Sequence, residues 1–107
     1  MSVAAVLEAL AEPSRRRIVE LLRDGERSVS ELVGGTGLAQ PAVSKHLRVL
    51  KEAGLVEVRR QAQRRLYRIQ PQPLAELDAW LEPYRRLWNE RLDLLERHLK
   101  ETEGPKP

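Results

Sequence analysis

Apolar side chains recur along this chain first at helical spacing, then at strand spacing, then at helical spacing again, and the changes of period mark its elements. Val3, Val6, Leu7 and Leu10 stand three and four apart, which predicts a short first helix within residues 1–11. Pro13 suits the first turn of a second helix, whose stripe of Ile18, Val19, Leu21 and Leu22 stops at Gly25. Ser28 and Glu31 have the spacing of a capping box, so a third helix starts there with Val29, Leu32 and Val33 facing inward. Gly34, Gly35 and Gly37 then read as a turn. A fourth helix is expected from Gln40 to Ala53, ending at Gly54, with Val43, His46, Leu47 and Leu50 on its inner face.

After Gly54 the alternation becomes twofold. Val56 and Val58 alternate with Glu57 and Arg59, and the pattern resumes with Tyr67 and Ile69 beyond Gln61-Ala62-Gln63, which predicts a β-hairpin. Pro71 and Pro73 close that region, and a helix follows from Leu74 to Lys100, kinked or divided at Pro83. Leu77, Leu81, Tyr84, Trp88, Leu92, Leu95 and Leu99 form one long stripe on it, ahead of a frayed tail over residues 101–107. Two short helices joined by a glycine turn (28–54) and followed by a hairpin (55–70) make a winged helix-turn-helix. The fold class is therefore mainly α with a small β-hairpin, in one domain over 1–107, flanked by helices at 1–11 and 74–100.

The length of 107 residues fits one core, and 41% hydrophobic with 33% charged residues is a globular balance. Cysteine is absent, which removes disulfides, thiolate metal sites and cysteine nucleophiles together. No apolar run approaches the ~20 residues of a membrane span, so a cytoplasmic protein is expected. Charge changes the picture more. The net charge is only +3, yet the segment from Gln40 to Pro73 carries eight basic and two acidic side chains, between flanks that are slightly acidic. A basic block in a nearly neutral chain is a footprint for a polyanion.

The outward face of the fourth helix carries Gln40, Pro41, Ser44, Lys45, Arg48 and Lys51, with no acid before Glu52. In a helix-turn-helix this is the face that enters the major groove. Arg48 and Lys45 could reach guanine edges, Gln40 could pair with adenine, and Ser44 could take a phosphate or a base. Arg59, Arg60, Arg64, Arg65 and Arg68 on the hairpin suit phosphates. Solvated faces usually mix both signs, so a one-signed surface argues for double-stranded DNA over solubility alone. No carboxylate pair, no nucleophile with a base and no phosphate-binding glycine loop stands at usable spacing, which excludes an enzyme. Ser44 and His46 lie on different faces, and His46 reads as a packed, hydrogen-bonded core histidine. Of Arg15, Arg16 and Arg17, one or two are expected to pair with Glu12, Glu20 or Asp24.

Three stretches are similar to the ArsR/SmtB-type winged-helix repressors. Leu10-Ala11-Glu12-Pro13-Ser14-Arg15-Arg16-Arg17-Ile18 resembles that family's entry to the second helix, and the run from Pro41 to Val56 resembles its recognition helix and following strand. Arg64-Arg65-Leu66-Tyr67-Arg68-Ile69 resembles its second wing strand, and Trp80 to Trp88 resembles a branch without metal sites. The resemblance implies a homodimeric DNA-binding regulator, usually a repressor released by an effector. The sequence departs from the family at its metal sites. Val33, Gly34 and Gly35 stand where the third-helix cysteines would be. His98 and Glu101 match half of a second site, whose other half is replaced by Arg85 and Leu87. Two ligands are too few for a closed tetrahedral site, so no metal and no cofactor is expected. Ala39 also replaces a hydroxyl N-cap, and Ala62 stands where the wing usually has glycine.

A stripe as long as that of the last helix exceeds what so small a domain can cover, which predicts association with a second copy. The expected interface is Val3, Val6, Leu7 and Leu10 with Tyr84, Trp88, Leu92, Leu95 and Leu99. The competing function is a winged helix whose basic face meets an acidic protein partner.

Overall fold

In the computed structural model, which describes residues 2–103, the elements are α1 (Val3–Leu10), α2 (Pro13–Leu22), β1 (Arg27–Ser28), α3 (Val29–Thr36), α4 (Gln40–Glu52), β2 (Val56–Gln61), β3 (Arg64–Ile69) and α5 (Pro71–Glu103). The helix starts follow local chemistry. Ser2 caps α1, the Glu12 carboxylate caps α2 ahead of Pro13, and Ser28 with Glu31 forms a reciprocal capping box on α3. Ala39 precedes α4 without a side-chain cap, as its chemistry requires.

The end of α3 corrects a sequence expectation. Gly34 and Gly35 lie inside α3, and the turn begins only at Gly37, whose φ of 72° is left-handed. Gly35 is useful within the helix because a Cβ there would stand 2.7 Å from Leu21 Cδ1, so its absence lets α2 and α3 close together. At the end of α4 the amides of Gly54 and Leu55 bond back to Lys51 and Leu50, a Schellman closure that turns the chain into β2. The sequence pattern also missed β1. Two residues are too short to show a period, but Arg27 and Ser28 pair with Tyr67 and Leu66, giving an antiparallel sheet of order β1-β3-β2.

The core sits between α1–α4 and the sheet. Val6, Ala9, Ile18, Leu22, Leu32, Val43, Leu47, Leu50, Leu55 and Val56 are buried together. The packing divides the chain into two compact units, one reaching to Leu77 and one starting at Asp78. Val6 is 0% exposed, so it belongs to the first unit's own core and is not free to face a second chain. Leu10 also packs against that core, while Leu7 stays 45% exposed.

α5 begins at Pro71, not at Leu74, and continues to Glu103 without division at Pro83. Proline's fixed φ suits a first-turn position, which explains the early start. Near Pro83 the Arg85 guanidinium donates to the Asp78 carbonyl, in the turn that the proline ring disturbs. Helix therefore occupies 101–103 of the expected tail, and Gly104 to Pro107 lie outside the described residues.

The hairpin register pairs Gln61 with Arg64, leaving Ala62 and Gln63 as a two-residue turn. Ala62 adopts φ 56°, a left-handed conformation that costs a Cβ-bearing residue about 1–2 kcal/mol. Glycine returns part of that gain as chain entropy, so Ala62→Gly should stabilise the protein by about 0.5–1 kcal/mol in urea denaturation. A destabilised variant would show that the methyl group contributes contacts outweighing the backbone strain.

Candidate nucleic-acid interface

Burial of Val43, Leu47 and Leu50 fixes the rotation of α4 about its axis. The positions between them are thereby turned outward, and Gln40, Pro41, Ser44, Lys45, Arg48 and Lys51 are all exposed. Among the described residues, no carboxylate lies within ion-pair distance of Lys45, Arg48 or Lys51. Their charge is available to a polyanion.

The hairpin sorts its arginines by the pleat. Side chains directly opposite in an antiparallel pair share a face, and successive residues alternate between faces. Val56 opposite Ile69, Val58 opposite Tyr67 and Arg60 opposite Arg65 therefore lie on one face. Glu57 opposite Arg68, Arg59 opposite Leu66 and Gln61 opposite Arg64 lie on the other. Arg60 and Arg65 have no carboxylate partner among the described residues, and two like charges directly opposite repel. Arg65, Tyr67 and Lys51 line a groove of about 450 Å³ together with Gln40, Ser44 and Arg48. One face of the wing thus continues the basic face of α4.

On the second face each arginine is met by a carboxylate. Arg59 Nε and Nη2 donate to Glu26 at 2.7 and 2.9 Å, and Arg64 Nη2 meets Glu31 at 3.2 Å. Arg68 pairs across the strands with Glu57. The sequence has no acid between Arg59 and Ile69, but the carboxylates arrive from the turn before β1, from α3 and from the partner strand. The Arg59 guanidinium holds the Glu26 carboxyl below its ordinary range, and Glu26 in turn raises Arg59.

Other charged groups do structural work. Arg15 Nε donates to the Ala9 carbonyl at 2.6 Å and Arg16 Nη1 to that of Leu10 at 3.1 Å, so both side chains close the C-terminal end of α1. Of the expected acid partners for this triplet, Glu20 forms an ion pair with Arg17 at 3.6 Å, and Glu12 accepts the backbone N–H of Arg15. His46 is mostly buried as expected, but its Nδ1 has no hydrogen bond and lies 3.9 Å from Glu12 Oε2. In the second unit, Trp80, Tyr84, Leu87, Trp88, Leu92, Leu94, Leu95 and Leu99 are each 45–60% exposed. Among the described residues, no group of three or more His, Asp or Glu side chains could hold a metal ion.

A recognition-type helix with a one-signed outer face, preceded by a supporting helix and followed by a basic hairpin, defines the winged helix-turn-helix class of DNA-binding protein. Residues 12–58 match the family described as bacterial regulatory protein, arsR family. The chain is 44% identical over 85 residues to the HTH-type transcriptional regulator Rv2034 of Mycobacterium tuberculosis, covering 79% of this chain and 77% of that protein. It is 41% identical over 75 residues to the biofilm growth-associated repressor of Agrobacterium fabrum, covering 70% of this chain and 64% of that one. The crystal structure of a possible transcriptional regulator for arsenical resistance superposes with a TM-score of 0.67 at 44% identity, over 86% of this chain and 93% of that one. The chain spans only 35% of another mycobacterial relative, the regulator Rv0324. The chain belongs to the arsR family of transcriptional regulators, and it is a DNA-binding protein rather than an enzyme. No helix of the described residues is long and apolar enough to cross a membrane.

Sequence reasoning missed the neutralising carboxylates Glu26 and Glu31, which lie 33 residues from the arginines they meet. They carry a consequence for stability. The backbone N–H of Arg15 holds Glu12 below its ordinary value of 4.5, Arg59 does so for Glu26, and Ser28 does so for Glu31. Groups depressed in the folded state stabilise it above their unfolded pKa and lose that contribution as pH falls through the folded one. Thermal midpoints should therefore be level across pH 5–7 for these groups and fall as pH drops below about 4.5. Glu12→Gln should flatten part of that fall. A fall of the same steepness in the variant would assign it to other carboxyls.

Proposed function

We propose that this regulator acts as a homodimeric repressor that binds an inverted-repeat operator in double-stranded DNA and is released by a non-metal effector. The observation that carries the DNA reading is the coincidence of two independent surfaces. The outer face of α4 and Arg65 of the wing line one groove, and Arg60, on the same face of the wing as Arg65, is likewise without a carboxylate partner among the described residues. In this reading Arg48 and Lys45 read base edges, Gln40 and Ser44 assist, and Pro41 starts the helix close to the duplex. Lys51, Arg60 and Arg65 hold phosphates.

Dimerisation is supported by the α5 stripe, which leaves eight large apolar side chains about half exposed. Tyr84, Trp88, Leu92, Leu95 and Leu99 are the contacts we assign to it, and on α1 the partly exposed Val3 and the exposed Leu7 remain available. A twofold pair would present two α4 helices about one DNA turn, roughly 34–36 Å, apart. Repression is supported by the Agrobacterium relative, which is named a repressor. The reading of a non-metal effector is supported by the family resemblance together with a sequence that contains no cysteine. Any coupling between effector and operator must be reciprocal.

Fluorescence anisotropy on a duplex from upstream of the protein's own gene, beside a shuffled duplex at equal salt, tests the DNA reading. A preference of about 10³ or more with a steep salt slope is expected. Arg48→Ala should weaken operator binding by about 10- to 100-fold and random-duplex binding by much less. Equal losses on both duplexes would remove Arg48 from base reading. Light scattering tests the assembly: Leu95→Glu should convert a dimer to monomer at micromolar concentration, since it places a charge within an apolar contact. A dimeric variant would move the interface away from α5.

A further inference from the structure

The wing carries five arginines but offers only two of them. Arg59, Arg64 and Arg68 share one face of the hairpin, and each is matched to a carboxylate. The Arg59–Glu26 pair differs from the other two. It is bidentate, at 2.7 and 2.9 Å, and Glu26 comes from the turn before β1 rather than from the wing or a helix cap. Glu31 is committed to the Ser28 capping box, and Glu57 to its cross-strand neighbour. Among the described residues, Arg59 alone donates hydrogen bonds to the Glu26 carboxylate, and the Arg68 charge lies nearby.

Phosphate contacts add affinity without regard to sequence, whereas base contacts discriminate. Every arginine that reaches a phosphate therefore raises binding to operator and random DNA alike, and does nothing for their ratio. An arginine held by a fork of two charge-assisted bonds gives up both to take a phosphate, and leaves a bare carboxylate beside the DNA backbone. We propose that Glu26 is an affinity-restraining residue: by engaging Arg59 it withholds one sequence-blind phosphate contact from the wing and so weakens binding to DNA of any sequence. This rests on the DNA reading above. It adds to that reading an acidic residue that makes no base contact yet sets how many phosphates the wing engages.

Salt titrations of full-length protein on a random 30-base-pair duplex test it. Glu26→Gln should tighten random-duplex binding by about 3- to 10-fold at 100 mM salt and steepen the slope of log K against log salt by about one, the signature of one more phosphate neutralised. Operator binding should tighten by the same factor, leaving the specificity ratio unchanged. Glu26→Gln combined with Arg59→Gln should return both affinity and slope to the wild-type values, because the released arginine is gone. In the otherwise unaltered protein, Arg59→Gln should leave the random-duplex slope unchanged, whereas Arg60→Gln should lower it by about one.

An unchanged slope in Glu26→Gln overturns the proposal. So does a gain that persists in the double variant, which would mean that the carboxylate acts by its own repulsion. A loss of slope in Arg59→Gln alone overturns it as well, and that arm holds even where Glu26→Gln folds poorly. Wild-type protein that binds neither duplex at low salt would overturn the DNA reading itself, a result distinct from all three.

Discussion

Three buried side chains on the inner face of α4 govern what this molecule can present. Val43, Leu47 and Leu50 are sealed against Ile18, Leu22 and Leu32, and a helix anchored at three points along one stripe has no freedom to rotate. Side-chain periodicity then decides the rest. The residues between the anchors face outward whether or not any ligand is present, and in this chain they are Ser44, Lys45, Arg48 and Lys51. The same core passes through the Leu50–Leu55 closure into Val56, so the hairpin springs from a point set by the packing of α4. Presentation of the basic surface is thus a by-product of core formation, and the molecule needs no separate device to organise it.

Within the hairpin a second constraint operates. Pleating allows two faces only, and the sheet gives them opposite electrostatic fates. The face shared with Tyr67 keeps Arg60 and Arg65 uncompensated, while the reverse face becomes a set of ion pairs. Exposed pairs of this kind contribute little to stability, on the order of 0–1 kcal/mol each. Their effect is on the field: they remove positive charge from one side of the wing without removing arginine from the sequence.

Much of the architecture could be read from spacing alone. The capping box at Ser28, the α4 stripe and the twofold alternation around Val56 and Tyr67 are each local patterns that survive into the fold because local and tertiary preferences agree. The outer-face residues of α4 were legible for the same reason. What escaped was non-local or ambiguous. Glu26 and Glu31 meet arginines 33 residues away, a distance no periodicity encodes. β1 is two residues long and exists only because β3 offers it an edge. Gly34 and Gly35 resemble a turn by composition, yet close approach to Leu21 places Gly35 in a helix. Val6 fits an exposed stripe and a buried one equally well until the neighbouring helix is known.

The guanidinium groups of Arg15 and Arg16 have an implication for how the fold opens. Each sits in the first turn of α2, and each donates to the final carbonyls of α1, so the end of one helix is closed by the beginning of the next. Helix termini usually fray independently, since their last carbonyls exchange one water for another. Here fraying of α1 would strip two charged donors of their acceptors at the same moment. The corner between α1 and α2 therefore behaves as one cooperative unit. Strain applied at the free face of α1, where Leu7 stands, reaches α2 without first being dissipated as local unfolding.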